Sequence, residues 1–192
     1  MTDVDLVFRD LFDGLEKLRC EYLVGGSLAT SAFGHPRQTN DIDIVLDLPG
    51  ARIDDAVAIF GAKFMVSELE IQDAVLSRQP YSSFQLLHLD CFLKVDVFIK
   101  QQDHFQESSF QRRRRIRFIG DVEAWFCTPE DSVLQKIRWY ELGNRSSDRQ
   151  WNDLVQVIEV QGEAFNRVYF REWADKLEIR ELAEEALAEA WD

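Results

Sequence analysis

The stretch VGGSLATSAFGHPRQTNDIDIVLDL, residues 24–48, decides the fold. Tyr22, Leu23 and Val24 form a short apolar run that stops at Gly25-Gly26, and Ser27 stands where a helix through Leu28 to Phe33 would have its N-cap. The order is therefore strand, tight turn, helix. From Asp41 to Asp47 the alternation is strict: Asp41, Asp43, Val45 and Asp47 share one face of a strand, and Ile42, Ile44 and Leu46 share the other. A buried strand followed by a helix needs neither the two glycines, nor the serine, nor two aspartates one residue apart. Those residues point to chemistry.

Carboxylates at i and i+2 of a strand project the same way, which is repulsive unless a cation or a shared proton lies between them. Hard divalent ions prefer such oxygen ligands, and magnesium usually takes one or two protein carboxylates together with substrate phosphates. Asp41 and Asp43 fit that role. A third candidate, Asp96, lies in a segment whose alternation sets Lys94, Asp96 and Phe98 against Val95, Val97 and Ile99. If that strand neighbours the first, three carboxylates converge, and such a site can hold two ions roughly 3.5–4 Å apart for in-line displacement at phosphorus. Gly25, Gly26 and Ser27 then have a purpose, since glycines let backbone amides approach a phosphate and the serine adds a hydroxyl at a helix N-terminus. Asp90 is a rival third carboxylate, placed in the connection between residues 84–89 and 93–99, which read as a β-hairpin. The bland alternative for Asp41 and Asp43 is the solvated face of an edge strand.

These residues resemble the nucleotidyltransferase fold of the DNA polymerase β superfamily: a Gly-Gly-Ser turn, a spacer of thirteen residues, Asp-Ile-Asp on a strand and a single Asp on a later one. The match is closest to small bacterial, uncharacterised or toxin-like nucleotidyltransferases, with Arg37, Thr39, Asn40, Asp41, Ile42 and Asp43 in the places of an Arg-x-Thr-x-Asp-Ile-Asp pattern. It covers residues 21–97, and extends more loosely to Pro129-Glu130-Asp131, Lys136 and residues 149–153. The resemblance implies an α/β (α+β) fold, a mixed twisted sheet with flanking helices followed by a helical C-terminal lobe. It also implies transfer of a nucleoside monophosphate from ATP or another nucleoside triphosphate to a hydroxyl acceptor, with release of pyrophosphate. Asp41, Asp43 and Asp96 would hold two Mg²⁺ or Mn²⁺ ions, and Asp96 would help deprotonate the acceptor. Gly25, Gly26 and Ser27, with Arg37, Thr39 and Lys136, would meet the triphosphate. The acceptor (a protein side chain, an RNA end or a small molecule) is not identified, and an antitoxin-like protein partner is one setting the resemblance allows. The rival of another class is a catalytically silent module that binds a nucleotide or a protein.

The remaining sequence sets the frame. Apolar residues at Val4, Val7, Leu11, Leu15 and Leu18 read as an amphipathic helix, with further helices at about 53–62 and 67–78. After residue 99 a polar stretch leads to Arg112-Arg113-Arg114-Arg115 and a last strand at 116–119, beyond which the chain reads as helical. A core of residues 1–120 and a helical lobe of residues 121–192 are expected. Thr128-Pro129-Glu130-Asp131 opens a helix running to Gly143, in which Lys136 reaches the nucleotide only if the helix folds over the cleft. The arginine cluster reads first as salt-bridged surface and second as a nucleotide or RNA contact. Trp151, Leu154, Val155, Ile158, Phe165, Tyr169, Phe170 and Trp173 read as lobe core, with a partner surface as the alternative.

With 35 acidic against 22 basic residues the net charge is −13, which argues against non-specific nucleic-acid binding. Three widely spaced cysteines suggest neither a disulfide framework nor a zinc site and fit a reducing cytoplasm. An acidic N-terminal segment and the lack of a long apolar run exclude a signal peptide and a membrane span as readings. His35, His88 and His104 have no ligand-like spacing and read as packing or surface residues.

Overall fold

The computed structural model describes residues 3–36, 42–77 and 79–191. The chain opens with α1 (Asp3–Leu18), β1 (Tyr22–Val24), α2 (Gly26–Phe33) and β2 (Ile42–Leu46). After Pro49-Gly50 come α3 (Ile53–Phe60), β3 (Phe64–Met65), α4 (Glu68–Leu76), β4 (Ser83–His88) and β5 (Lys94–Ile99). Then follow α5 (His104–Arg112), β6 (Arg114–Ile119), β7 (Val122–Phe126), α6 (Pro129–Leu142), α7 (Asp148–Gln161), α8 (Arg167–Lys176) and α9 (Arg180–Trp191).

The strands form one seven-stranded mixed sheet in the order β3-β4-β5-β2-β1-β7-β6. Its register divides it into two unlike faces. Ile42, Ile44 and Leu46 lie level with Val95, Val97 and Ile99 of the parallel strand β5, and Tyr22 and Val24 of antiparallel β1 pair with Leu46 and Ile44. This face is apolar and carries α1, whose Phe12 stacks on Tyr22 with ring centroids 6.1 Å apart. Val7, Leu11, Leu15 and Leu18 of α1 are buried at the predicted spacing, and each such side chain contributes about 1.5–3 kcal/mol. The opposite face presents Leu23, Asp43, Val45, Asp96 and Phe98, and it looks into a cavity.

Three elements escape the pattern of the sequence. The polar stretch after residue 99 holds α5, capped by Asp103, which accepts a bond of 2.7 Å from the Gln106 amide while Phe105 and Phe110 go to the core. Strand β3 is too short to show alternation. The strand at 116–119 is also not the last: Gly120, at φ +55°, and Asp121 make a two-residue turn into β7, which pairs antiparallel with β6 and parallel with β1 through Val24 and Phe126. The sheet therefore runs through the expected boundary at residue 120 before the helices begin.

Candidate functional site

At the end of β1 the chain turns through Gly25, whose amide donates to the Asp43 carbonyl at 3.0 Å and so ties the turn to β2. Gly25, extended at φ −120°, is the N-cap of α2, so the helix begins one residue before the expected cap and Ser27 lies inside its first turn. Gly26 adopts φ +54°, a left-handed conformation that side chains disfavour. A Cβ built on it would fall onto the Asp43 carboxylate, 2.6 Å from Cγ. The missing methyl is the space the carboxylate occupies. Gly26→Ala therefore combines backbone strain with displacement of Asp43, and we expect a loss of about 1–3 kcal/mol in thermal unfolding along with loss of the site's activity.

Asp43 and Asp96 are level neighbours on the parallel strands β2 and β5 and share the cavity-side face. Asp96 is held from two sides: Lys94 Nζ stands 2.8 Å from Oδ2, and Gln85 Nε2 donates to Oδ1 at 2.9 Å. The sequence places Lys94 and Asp96 on one face, and the structure makes them a pair. Asp41, Arg37 and Thr39 lie outside the described residues. Among the described residues no group of three His, Cys, Asp or Glu is arranged to hold a metal ion. Asp90 falls in the β4–β5 turn and not in either strand.

The cavity measures about 480 Å³, within the usual range for a small-molecule site. Gly25, Gly26, Ser27 and Asp43 form one wall. Across from them stand α6 and α7, and Lys136 of α6 reaches the wall with its Nζ 2.8 Å from Oδ2 of Asp153 on α7. The helix thus folds over the cleft, as a nucleotide-contacting Lys136 requires, and a buried carboxylate fixes its ammonium. Arg149, in the first turn of α7, lies on the same wall. Sequence reasoning missed the third, aromatic side: Tyr81 packs on Trp139 with centroids 4.4 Å apart, and Phe98 lies 6.3 Å from Trp139. Tyr81 follows Pro80 at φ +62°, and nothing in the sequence distinguishes it from an ordinary turn residue.

The arginine cluster is spent on the protein itself. Arg112 donates to Glu130 Oε2 at 2.9 Å, approaches Asp131 Oδ1 at 3.6 Å and lies 3.4 Å over the Tyr169 ring. Arg113 donates to Glu21 at 2.6 Å, and Arg115 reaches Glu123 at 3.2 Å. The salt-bridged reading holds for these three. Asp131 is almost wholly buried, and burial pushes its carboxyl up, against the Tyr169 hydroxyl, which donates to it at 2.6 Å, and Arg112. The Tyr169 phenol is pushed up to about 12 by burial and by that neighbouring carboxylate.

Can these residues accept a divalent cation? A phosphate drawn to the Gly26 amide and the positive end of α2 meets the Asp43 carboxylate packed on Gly26. Two anions share that corner only with a cation between them. The oxygen donors of Asp43 and Asp96 suit a hard ion, so the described part of the site fits magnesium or manganese.

No family model matches the chain, and no curated protein sequence matches it significantly. Its likeness to solved structures is in shape. An antigenic nucleotidyltransferase-like protein from Paracoccidioides brasiliensis superposes with a TM-score of 0.55 at 18% identity, over 95% of this chain and 91% of that one. The crystal structure of ANT(2″)-Ia with adenylyl-2″-tobramycin gives 0.58 at 13% identity, over 98% and 99% of the two chains. The lincosamide antibiotic adenylyltransferase LnuA, with lincomycin bound, gives 0.52 at 13% identity, over 83% and 98%. The chain has the nucleotidyltransferase fold.

Proposed function

We propose that the chain is a metal-dependent nucleotidyltransferase that moves a nucleoside monophosphate from ATP or another nucleoside triphosphate to a hydroxyl acceptor and releases pyrophosphate. The observation that carries this reading is Asp43, which lines the cavity with Gly26 bare beneath it, and Asp96 level with it on the adjacent parallel strand. Asp43 and Asp96, with Asp41 two residues before Asp43 in the sequence, are the residues that would hold Mg²⁺ or Mn²⁺. Bound there, the metal supplies neutralisation of phosphate charge and Lewis-acid stabilisation of the attacking and leaving oxygens.

The chain's own groups do the rest. The Gly26 amide and the N-terminus of α2 orient the phosphates, and Ser27 adds a hydroxyl. Lys136, fixed by Asp153, offers a positive charge to the triphosphate from the opposite wall. Asp96 receives the acceptor's proton on a carboxylate oxygen, with Lys94 and Gln85 holding it in place. Tyr81, Phe98 and Trp139 give the cavity an apolar side suited to a flat ring. A small molecule bearing a hydroxyl is the acceptor we favour, by analogy with the tobramycin and lincomycin named with two of the similar structures.

The test is label transfer. Purified protein is incubated with each α-phosphate-labelled nucleoside triphosphate and Mg²⁺ or Mn²⁺, with cell extract, with an aminoglycoside and lincosamide panel, and alone. We expect the wild type to transfer label, and Asp41→Ala/Asp43→Ala to transfer none. If no label moves and calorimetry finds no metal-dependent triphosphate binding, the chain is a silent binding module and this reading is wrong.

A further inference from the structure

Away from the cleft, two side chains at the β4–β5 turn meet one from α1. His88, the last residue of β4, has no solvent-exposed surface. Its Nε2 lies 3.1 Å from Oδ2 of Asp10 on α1, and its Nδ1 lies 3.3 Å from Sγ of Cys91. The same Nδ1 also lies 3.3 Å from the Asp90 amide. An amide can only donate, so Nδ1 carries the lone pair and the ring proton sits on Nε2, directed at Asp10. Phe64, edge-on at 5.1 Å, packs the ring in that orientation. That one lone pair, which accepts from the Asp90 amide, is shared with the Cys91 thiol, and the thiol has a second acceptor in the Asp3 carbonyl, 3.9 Å from Sγ. When the thiol gives its proton to the ring, the Asp90 amide loses its acceptor and the Asp10 carboxylate stabilises the imidazolium. Nucleophile, base and orienting acid are in the relation that activates a thiol.

The other two cysteines lack this arrangement. Burial pushes the Cys20 thiol up, only partly offset by Arg52. Burial also pushes up Cys127, which is wholly enclosed. Cys91 is partly exposed, in a turn whose flanking Leu89 and Phe92 also face solvent. It lines neither the cleft nor the shallow pocket beside Arg138. An acyl substrate would need walls and oxyanion donors around the sulfur. A disulfide needs only to approach along its sulfur–sulfur axis.

We propose that Cys91 is a reactive thiol activated by His88 and oriented through Asp10, and that its substrates are low-molecular-weight disulfides, with which it forms a mixed disulfide. His88 Nδ1 takes the Cys91 proton, and the thiolate attacks one sulfur of the disulfide. The new sulfur–sulfur bond forms as the old one breaks, and the departing thiolate takes the proton from the imidazolium. The oxidising equivalent comes from the incoming disulfide, so no other oxidant is required. This reaction is independent of nucleotidyl transfer.

The test is the rate of thiol reaction on the intact chain with an aromatic disulfide, dithionitrobenzoate, followed by absorbance and assigned to each cysteine by peptide mass mapping. We expect Cys91 to react roughly tenfold or more faster than Cys20 at neutral pH, and Cys127 to react only after denaturation. His88→Gln and Asp10→Asn should each slow Cys91 towards an ordinary thiol while leaving the Cys20 rate unchanged. The charged side chains at the ring are Asp10 and, 3.5 Å from the same oxygen, Lys63. A Cys91 no faster than Cys20, or an unchanged Cys91 rate in His88→Gln, overturns the proposal. If Cys20 accelerates in His88→Gln, the buried substitution has loosened the fold and Asp10→Asn decides: slowed Cys91 supports the proposal, and an unchanged rate overturns it.

Discussion

On the proposed function, Asp43→Asn is expected to lower label transfer by at least about 10³-fold, because losing a ligand to a divalent ion would forfeit several kcal/mol of charge stabilisation and each 1.36 kcal/mol is tenfold in rate. Stability should move the other way or not at all. Asparagine has the shape of aspartate, so it fits the space above Gly26. It also removes one of two carboxylates that lie level on adjacent strands, a like-charge juxtaposition that costs up to about 1 kcal/mol. The gain is modest because Lys94 already compensates Asp96. Paired melts with and without Mg²⁺ and triphosphate separate the two roles. A ligand at a hundred times its dissociation constant stabilises by about 2.7 kcal/mol, a rise the wild type should show and the variant should not. Large destabilisation of Asp43→Asn without ligand would instead make the side chain a structural part of the packing of β2 on the Gly25-Gly26 turn.

Arg112→Ala should destabilise the fold by about 3 kcal/mol, which for a chain of this size is a fall of roughly 6–12 °C in melting temperature. The reason is what it leaves behind. Glu130 and Asp131 open α6 as buried carboxylates, and the guanidinium 2.9 Å from one and 3.6 Å from the other is their cation. Thr128 and Tyr169 still donate to Asp131, and the Asn166 amide to Glu130, which keeps the loss at the lower end for a broken buried pair. The pH dependence follows from sign. Burial raises the Asp131 carboxyl above its usual value, so in the acid range the folded chain takes up its proton before the unfolded chain does. Removing Arg112 raises it further. Part of the lost stability should therefore return as pH falls from the raised value towards the ordinary carboxyl range. A loss that does not depend on pH in that interval would show that the arginine acts by packing on Tyr169 rather than by charge.

What the sequence reveals of this molecule follows from how local each signal is. Strict alternation from Ile42 to Leu46 and from Lys94 to Ile99 is visible because one face of each strand is buried and the other is not. The cap at Thr128 is visible because its hydroxyl and the amide it bonds are three residues apart. Helix α5 hides because only Phe105 and Phe110 stand out among its polar residues, although Asp103 and Gln106 carry its cap. Strand β7 hides because Gly120-Asp121 can end a domain as readily as turn a hairpin. At the site, Asp43 and Asp96 can be named from two strands, but their level pairing depends on β5 lying beside β2, a topological fact. The Lys136–Asp153 bond and the Tyr81–Trp139 contact join separate elements, so no spacing encodes them. Cys91, His88 and Asp10 are nearer the first case for one pair only: the cysteine and histidine are three residues apart, but the aspartate is 78 residues from the histidine.

The parallel pairing of β1 with β7 has a consequence for how the protein is made. Val24 stands in mid-sheet, yet the strand that covers its second edge arrives a hundred residues later, with the Cys127 amide donating to the Val24 carbonyl at 3.2 Å. As the chain emerges from a ribosome, β1 and β2 can join long before β7 exists. Until then the segment that carries Gly25 keeps an open hydrogen-bonding edge, the kind of edge that recruits stray strands. The glycine turn is among the first parts of the cleft to be synthesised. It is among the last to be enclosed.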